Sequence, residues 1–216
     1  MRRPFSIGPV GPLLLVLPLS SCGGSDAGSE ASDTASAATA AQAFMANLAR
    51  HCGNAYPGGL ALAPEGDQML AGDELLVVHF RVCGEDENLL PFHIQQDGGA
   101  SWDRSRTWIF RTAAEGRLEL RHDHRQSDGT EDEVTWYGAF TLDPGTPNRQ
   151  EFVYDEPFED DTVRGWRVEI EPDVRYTYGT MRDGEWRWRV DFDLTSPMAE
   201  PPPPPWGYEE GQAPPR

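Results

Sequence analysis

His122 and His124 stand two residues apart in the stretch GRLELRHDHRQSDGTEDEVTWYG, which spans 116–138. On a strand, side chains two apart share a face, so both imidazoles can approach one point. Two imidazole nitrogens and one carboxylate form a ligand set suited to zinc, iron or manganese. His122, His124 and Glu133 are that set, with Glu131 as the alternative carboxylate. Tyr137 adds a phenol, and His122, His124, Glu133 and Tyr137 together equally suit a polar rim that binds a small ligand. The plainest use of these residues is a solvated strand end in which the histidines bond to Glu133. What positions them decides between these uses.

Asp128-Gly129 reads as a two-residue hairpin turn. Such a turn sets Arg125 opposite Asp132, His124 opposite Glu133, His122 opposite Thr135, Arg121 opposite Trp136 and Leu120 opposite Tyr137. One face then gathers Leu118, Leu120, His122, His124, Glu133, Thr135 and Tyr137. The other gathers Arg117, Glu119, Arg121, Asp123, Arg125, Asp132 and Trp136. The second suits water, through an Arg125–Asp132 pair and Arg121 over Trp136. The first is therefore the inner face, apolar at its start and polar toward the turn.

The elements around this hairpin are strands. WRWRVDFDL alternates Trp186, Trp188, Val190, Phe192 and Leu194 with charged residues, one side dry and one wet. WRVEIEP, VRYTYGTM, SRTWIFRT and ELLVVHFRVC follow the same period or form apolar β-branched runs. Turn signals at Asp97-Gly98-Gly99, Asp143-Pro144-Gly145 and Asp183-Gly184 separate them. One short helix over 43–50, with Phe44, Met45 and Leu48 as its apolar stripe, precedes the strands and stops at Gly53. The expected class is all-β: an antiparallel barrel or two-sheet sandwich of roughly eight to ten strands. No strand–helix–strand alternation favours a nucleotide-binding α/β fold.

The strand pattern resembles small lipocalin-like barrels, by architecture and without a lipocalin motif. The segment 105–138 is similar to uncharacterised secreted bacterial proteins, a likeness that carries no activity. Gly116 six before His122, and Gly138 seven after Glu131, resemble the first metal-site motif of cupins. That resemblance implies a metal-dependent enzyme on a jelly roll, using His122, His124 and Glu131 or Glu133. The chain departs from it in the longer gap from His124 to Glu131 and in having no histidine after His124.

The first residues, MRRPFSIGPVGPLLLVLPLSSCGG, give a basic head and an apolar run at 12–19 that is too short to span a bilayer. Leu19-Ser20-Ser21-Cys22 resembles the lipobox of bacterial lipoproteins. The resemblance implies cleavage after residue 21 and lipidation of Cys22. Gly23, in place of the aspartate that retains such proteins at the inner membrane, implies the outer membrane facing the periplasm in a Gram-negative cell. The expected organisation is a signal peptide at 1–21, a flexible Gly/Ser/Ala tether at 22–42, one β domain at 43–197 and a disordered proline-rich tail at 198–216.

With Cys22 given to the lipid, Cys52 and Cys83 remain for a disulfide in an oxidising compartment. The net charge of −18 argues against nucleic acid and against adsorption to anionic lipid. No GxSxG, HExxH, phosphate loop or dinucleotide fingerprint occurs, so no catalytic set and no cofactor is expected beyond a divalent metal at the histidines. Three functions fit: a lipid-anchored extracytoplasmic domain that binds a small ligand or an envelope protein, the metal-dependent enzyme, and a purely structural envelope lipoprotein. The last expects no sizeable interior cavity.

Overall fold

The computed structural model describes residues 40–156 and 158–208. The signal peptide, Cys22 and nearly all of the tether lie outside them, as do residues 209–216. A helix, α1, covers residues 40–49. It is followed by β1 (Ala55–Leu62), β2 (Leu76–His79), β3 (Val82–Cys83), β4 (Glu87–Gln96), β5 (Ser101–Thr112) and β6 (Leu118–His124). Then come β7 (Tyr137–Thr141), β8 (Arg149–Val153), β9 (Arg164–Glu171), β10 (Arg175–Arg182) and β11 (Glu185–Asp193).

All pairings are antiparallel, and the order β2-β1-β11-β10-β9-β8-β7-β6-β5-β4 closes on itself through β2 against β4. The result is a ten-stranded barrel, with β3 as an extra short strand on β4. Closure decides between the two expected architectures, and it removes the free edges a sandwich would leave. Short turns join β4 to β5, β5 to β6, β9 to β10 and β10 to β11, while longer loops follow β1, β6 and β8. Between β10 and β11, Asp183 and Gly184 both take positive φ, 51° and 80°, which is the twist-matched two-residue hairpin turn.

Inward positions alternate with outward ones and carry the core. Leu90, Phe92, Trp108, Phe110, Leu118, Leu120, Val168, Tyr176, Val190 and Phe192 all belong to one buried cluster. Helix α1 adds Phe44, Met45 and Leu48 to that cluster and closes one end of the barrel. The Phe44 ring lies 6.2 Å from that of Phe110, and Asn47 Nδ2 donates to the Pro147 carbonyl between β7 and β8. Cys52 and Cys83 are bridged, tying the helix end to β3 across 31 residues. A loop of that size implies a stabilisation of about 3–4 kcal/mol by restricting the unfolded chain.

Outside, the walls carry ion pairs. Arg111 reaches Glu87 and Glu119, Arg121 reaches Glu119, and Arg149 and Arg167 share Glu151. A barrel that crosses a bilayer wears its apolar residues outside. This one has the reverse arrangement and presents its walls to water. Among the described residues no helix is long and apolar enough to cross a membrane.

Three expectations need correction. In β11, Arg187 is an extra residue: Trp186 pairs with Met181 and Trp188 with Thr180. The bulge turns Trp186 to the outer wall, under Arg167 and Arg189, while Trp188, Val190 and Phe192 stay inside. The second correction concerns the proline-rich tail, expected to be disordered. Through residue 208 it is a strap laid on the outer wall. Met198 N donates to Ala55 O, Arg104 donates to the Pro204 carbonyl at 2.6 Å, and Trp206 N donates to Arg104 O. Tyr208 ends the strap in a second buried cluster with Leu89 and Ile109. There its hydroxyl donates to Asp123 at 2.6 Å, and Asp123 also accepts from the buried Arg125. Gly207 crosses so close to Gly129 that a Cβ on it would stand 2.6 Å from the Gly129 carbonyl oxygen, which only glycine avoids. Arg125 is therefore covered and not water-facing, and its partners are Asp123 and Glu131 in place of Asp132.

Candidate functional site

The site is the open end of the barrel, opposite α1. Strands β5 and β6 pair Phe110 with Leu120, Trp108 with His122 and Arg106 with His124. The inner row of β6 thus runs from two leucines to two histidines as it climbs to the mouth, matched on β5 by phenylalanine, tryptophan and arginine.

The facing scheme of the β6–β7 hairpin is only partly as expected. Gly129 N donates to Gln126 O, and Gln126 N donates to Thr130 O, so the turn holds three residues, with Gly129 at φ 87°. Beyond it Arg125 bridges Glu131, whereas His122 pairs with Tyr137. Five residues thus lie between the pairing partners on one side, 132–136, and two on the other, 123–124. This wide bulge throws Glu133 out to solvent. His122, His124 and Tyr137 come together; Glu133 does not join them, nor does Glu131, which binds Arg125 and the Trp136 indole N–H.

His122 is fully used inside the protein. Its Nδ1 lies 3.1 Å from the Tyr137 carbonyl, which can only accept, so Nδ1 carries the proton. Nε2 then accepts from the Tyr178 hydroxyl at 2.5 Å. The ring stacks on Tyr137 with centroids 4.6 Å apart. Neither nitrogen retains a lone pair for a metal unless Tyr178 is displaced. His124 Nε2 is 3.1 Å from the Tyr137 hydroxyl. Among the described residues, no group of three or more His, Cys, Asp or Glu is placed to hold a metal ion.

Burial pushes the His122 pKa down to about 3 and, with Arg106 nearby, lowers that of His124, so both are neutral at pH 7. Two further histidines lie outside the cavity. His93 points outward from β4 beside Trp102 and is pushed down to about 3 by burial; half-buried His79 is pushed to about 4. The unfolded chain takes up protons at these residues near 6.5, whereas the folded chain resists them until far lower. Their contribution to stability is complete above pH 6.5 and is lost progressively as pH falls toward 3. The urea midpoint is therefore expected to fall between pH 7 and pH 5, by at least ~1 kcal/mol in unfolding free energy. A flat profile over that window would show these histidines to be as solvated folded as unfolded.

Above His122 the barrel encloses a cavity of about 390 Å³. Its floor and walls are aromatic: Phe92, Trp108, Tyr178, Trp166, Trp188 and Tyr137. Trp108 stacks on Tyr178 at 3.9 Å and on Phe92 at 5.0 Å, which fixes the floor. Thr180, Arg106 and His124 form the rim. The loop between β1 and β2 brings Pro64, Asp67 and Met69 over it. A turn sets that loop: Asp67 N donates to Pro64 O, and Gly66 sits at φ 81°. Two of the residues lining this space carry a buried polar atom without a partner: Trp188 at Nε1 and Asp67 at Oδ2.

The chain matches no protein-family model and no curated protein. The site is therefore read from its own chemistry. Of the residues lining it, Trp108, Trp166, Tyr178 and Trp188 lie on strands whose alternation was visible in sequence, but their convergence with His122 was not. Arg106 and Asp67 carried no sequence signal.

Proposed function

We propose that this protein is a lipid-anchored extracytoplasmic β-barrel that binds a small, largely apolar ligand in its mouth. The observation that carries the reading is the aromatic cavity of about 390 Å³ with a buried, unpartnered indole N–H in its wall. Its size falls in the range of small-molecule sites, and an apolar enclosure with few convergent polar groups is their usual form. A purely structural lipoprotein would have no use for an aromatic-lined space of this size at the mouth. The Cys52–Cys83 bridge supports an oxidising compartment, and Leu19-Ser20-Ser21-Cys22 supports the anchor. Gly23 after the cysteine supports the outer membrane in a Gram-negative cell.

Titration with the neutral dye Nile red is expected to give saturable one-to-one binding. Thr180→Trp, which fills the rim, should weaken it by about tenfold or more while the fold is retained. Absence of saturable binding to the unsubstituted protein would refute the reading. For the anchor, Cys22→Ala should end incorporation of radiolabelled palmitate, and label persisting in that variant would refute it.

A further inference from the structure

We propose that the ligand is an aromatic-bodied amine that also carries an oxygen acceptor: its ammonium meets Asp67, its oxygen accepts from Trp188 Nε1, and its flat body lies against the aromatic wall. This rests on the binding function just proposed and specifies its chemistry.

The residues lining the cavity leave two polar groups unsatisfied. Trp188 is 8 % exposed, and its buried Nε1 has no acceptor. An indole nitrogen only donates, so the group it lacks is an oxygen or another acceptor. Asp67 Oδ2 is buried and has no donor, and among the described residues Asp67 makes no ion pair. A carboxylate oxygen shielded from water without a donor is costly, and a cation relieves it better than a neutral hydroxyl.

The one cation on the cavity rim does not fill that need. Arg106 is already held by Asp103 at 2.6 Å and by the Ser105 hydroxyl at 2.9 Å. A second hollow adjoins the cavity, sharing Met69 and Arg106 with it, and is lined by Asp73, Glu74, Asp97 and Asp103. Glu74 is occupied by the backbone N–H groups of Ala71 and Gly72, and Asp97 by the Ser101 hydroxyl, so neither is neutralised by a cation. Among the described residues lining the two hollows, five carboxylates therefore face one guanidinium, and the two cavity histidines are uncharged. The field at the mouth draws cations and repels anions. Within, the aromatic lining favours a cation over a neutral group of the same shape. Acidic approach, unpaired carboxylate, aromatic enclosure and unpaired donor agree on one class of ligand.

Three probes of one body separate the possibilities: 2-(2-naphthyloxy)ethylamine, 2-(2-naphthyloxy)ethanol and 2-naphthyloxyacetate. All share the ring and the ether oxygen and differ in the terminal group: an ammonium, a neutral hydroxyl or a carboxylate. By calorimetry on the purified full-length chain, the amine should bind about tenfold more tightly than the alcohol, and the acetate most weakly. Asp67→Asn, on an exposed loop, should bring the amine down to the alcohol's affinity and leave the alcohol within roughly twofold. Trp188→Phe should weaken all three. Alcohol or acetate binding as tightly as the amine, or an amine affinity untouched by Asp67→Asn, would overturn the amine proposal and leave ligand binding standing. If none of the three binds while Nile red does, the amine proposal falls and the binding function stands; if Nile red fails as well, both fall.

Discussion

Leu120→Asp is expected to leave no folded domain, whereas Arg121→Asp, one residue on, is expected to fold. Leu120 is completely buried, pairs with Phe110 and belongs to the main core cluster. Aspartate there loses the burial of an entire leucine and must place a carboxylate among aromatic rings with nothing to pair it. The combined cost exceeds about 5 kcal/mol, which is comparable to the whole stability of an ordinary domain. Arg121 looks outward, with about a quarter of its side chain exposed, over Phe140 and against Glu119. Its reversal of charge next to Glu119 costs about 1 kcal/mol. Circular dichroism and urea titration of the two variants test this directly. A folded Leu120→Asp with an unfolded Arg121→Asp would mean that the strand is turned inside out.

Asp123→Ala is expected to cost about 3–5 kcal/mol and to loosen the strap. The Asp123 side chain is wholly buried and Arg125 is 7 % exposed, so removing the carboxylate leaves a guanidinium shielded from water with only two long contacts, Glu131 at 3.4 Å and the Gly129 carbonyl at 3.5 Å. It also removes the acceptor of the Tyr208 hydroxyl. Tyr208→Phe, which removes one hydrogen bond to a charged group, should cost less, about 1.5–3 kcal/mol. Chemical denaturation gives the energies, and the rate of proteolytic removal of the C-terminal segment reports the strap. An Asp123→Ala protein within 1 kcal/mol of the parent would show that this network contributes nothing net.

The inner row of β6 was legible in sequence because two-residue alternation and hydrophobicity agree there: Leu118, Leu120, His122 and His124 do share the inward face. The last strand was legible for the same reason from Trp188 to Phe192. What failed was register wherever a residue is inserted. Neither the three extra residues between Glu131 and Tyr137 nor the extra Arg187 leaves a mark in composition, and each moves a side chain to the other side: Glu133 and Trp186 went outward. The strap was misread because consecutive prolines do predict an extended chain without a core of its own. What docks it is supplied by others: Arg104 beneath Pro204, and the Asp123–Arg125 pair beneath Tyr208. The cavity was invisible because it depends on ring closure and on which large side chains lean apart, neither of which belongs to any single strand.

The helix that plugs the barrel also gives it a direction. Chain leading into α1 arrives at the sealed end, so whatever holds that leading segment grips the vessel by its base. Attachment at that end leaves the mouth clear, so a guest molecule can reach the cavity without passing the segment that holds the protein in place.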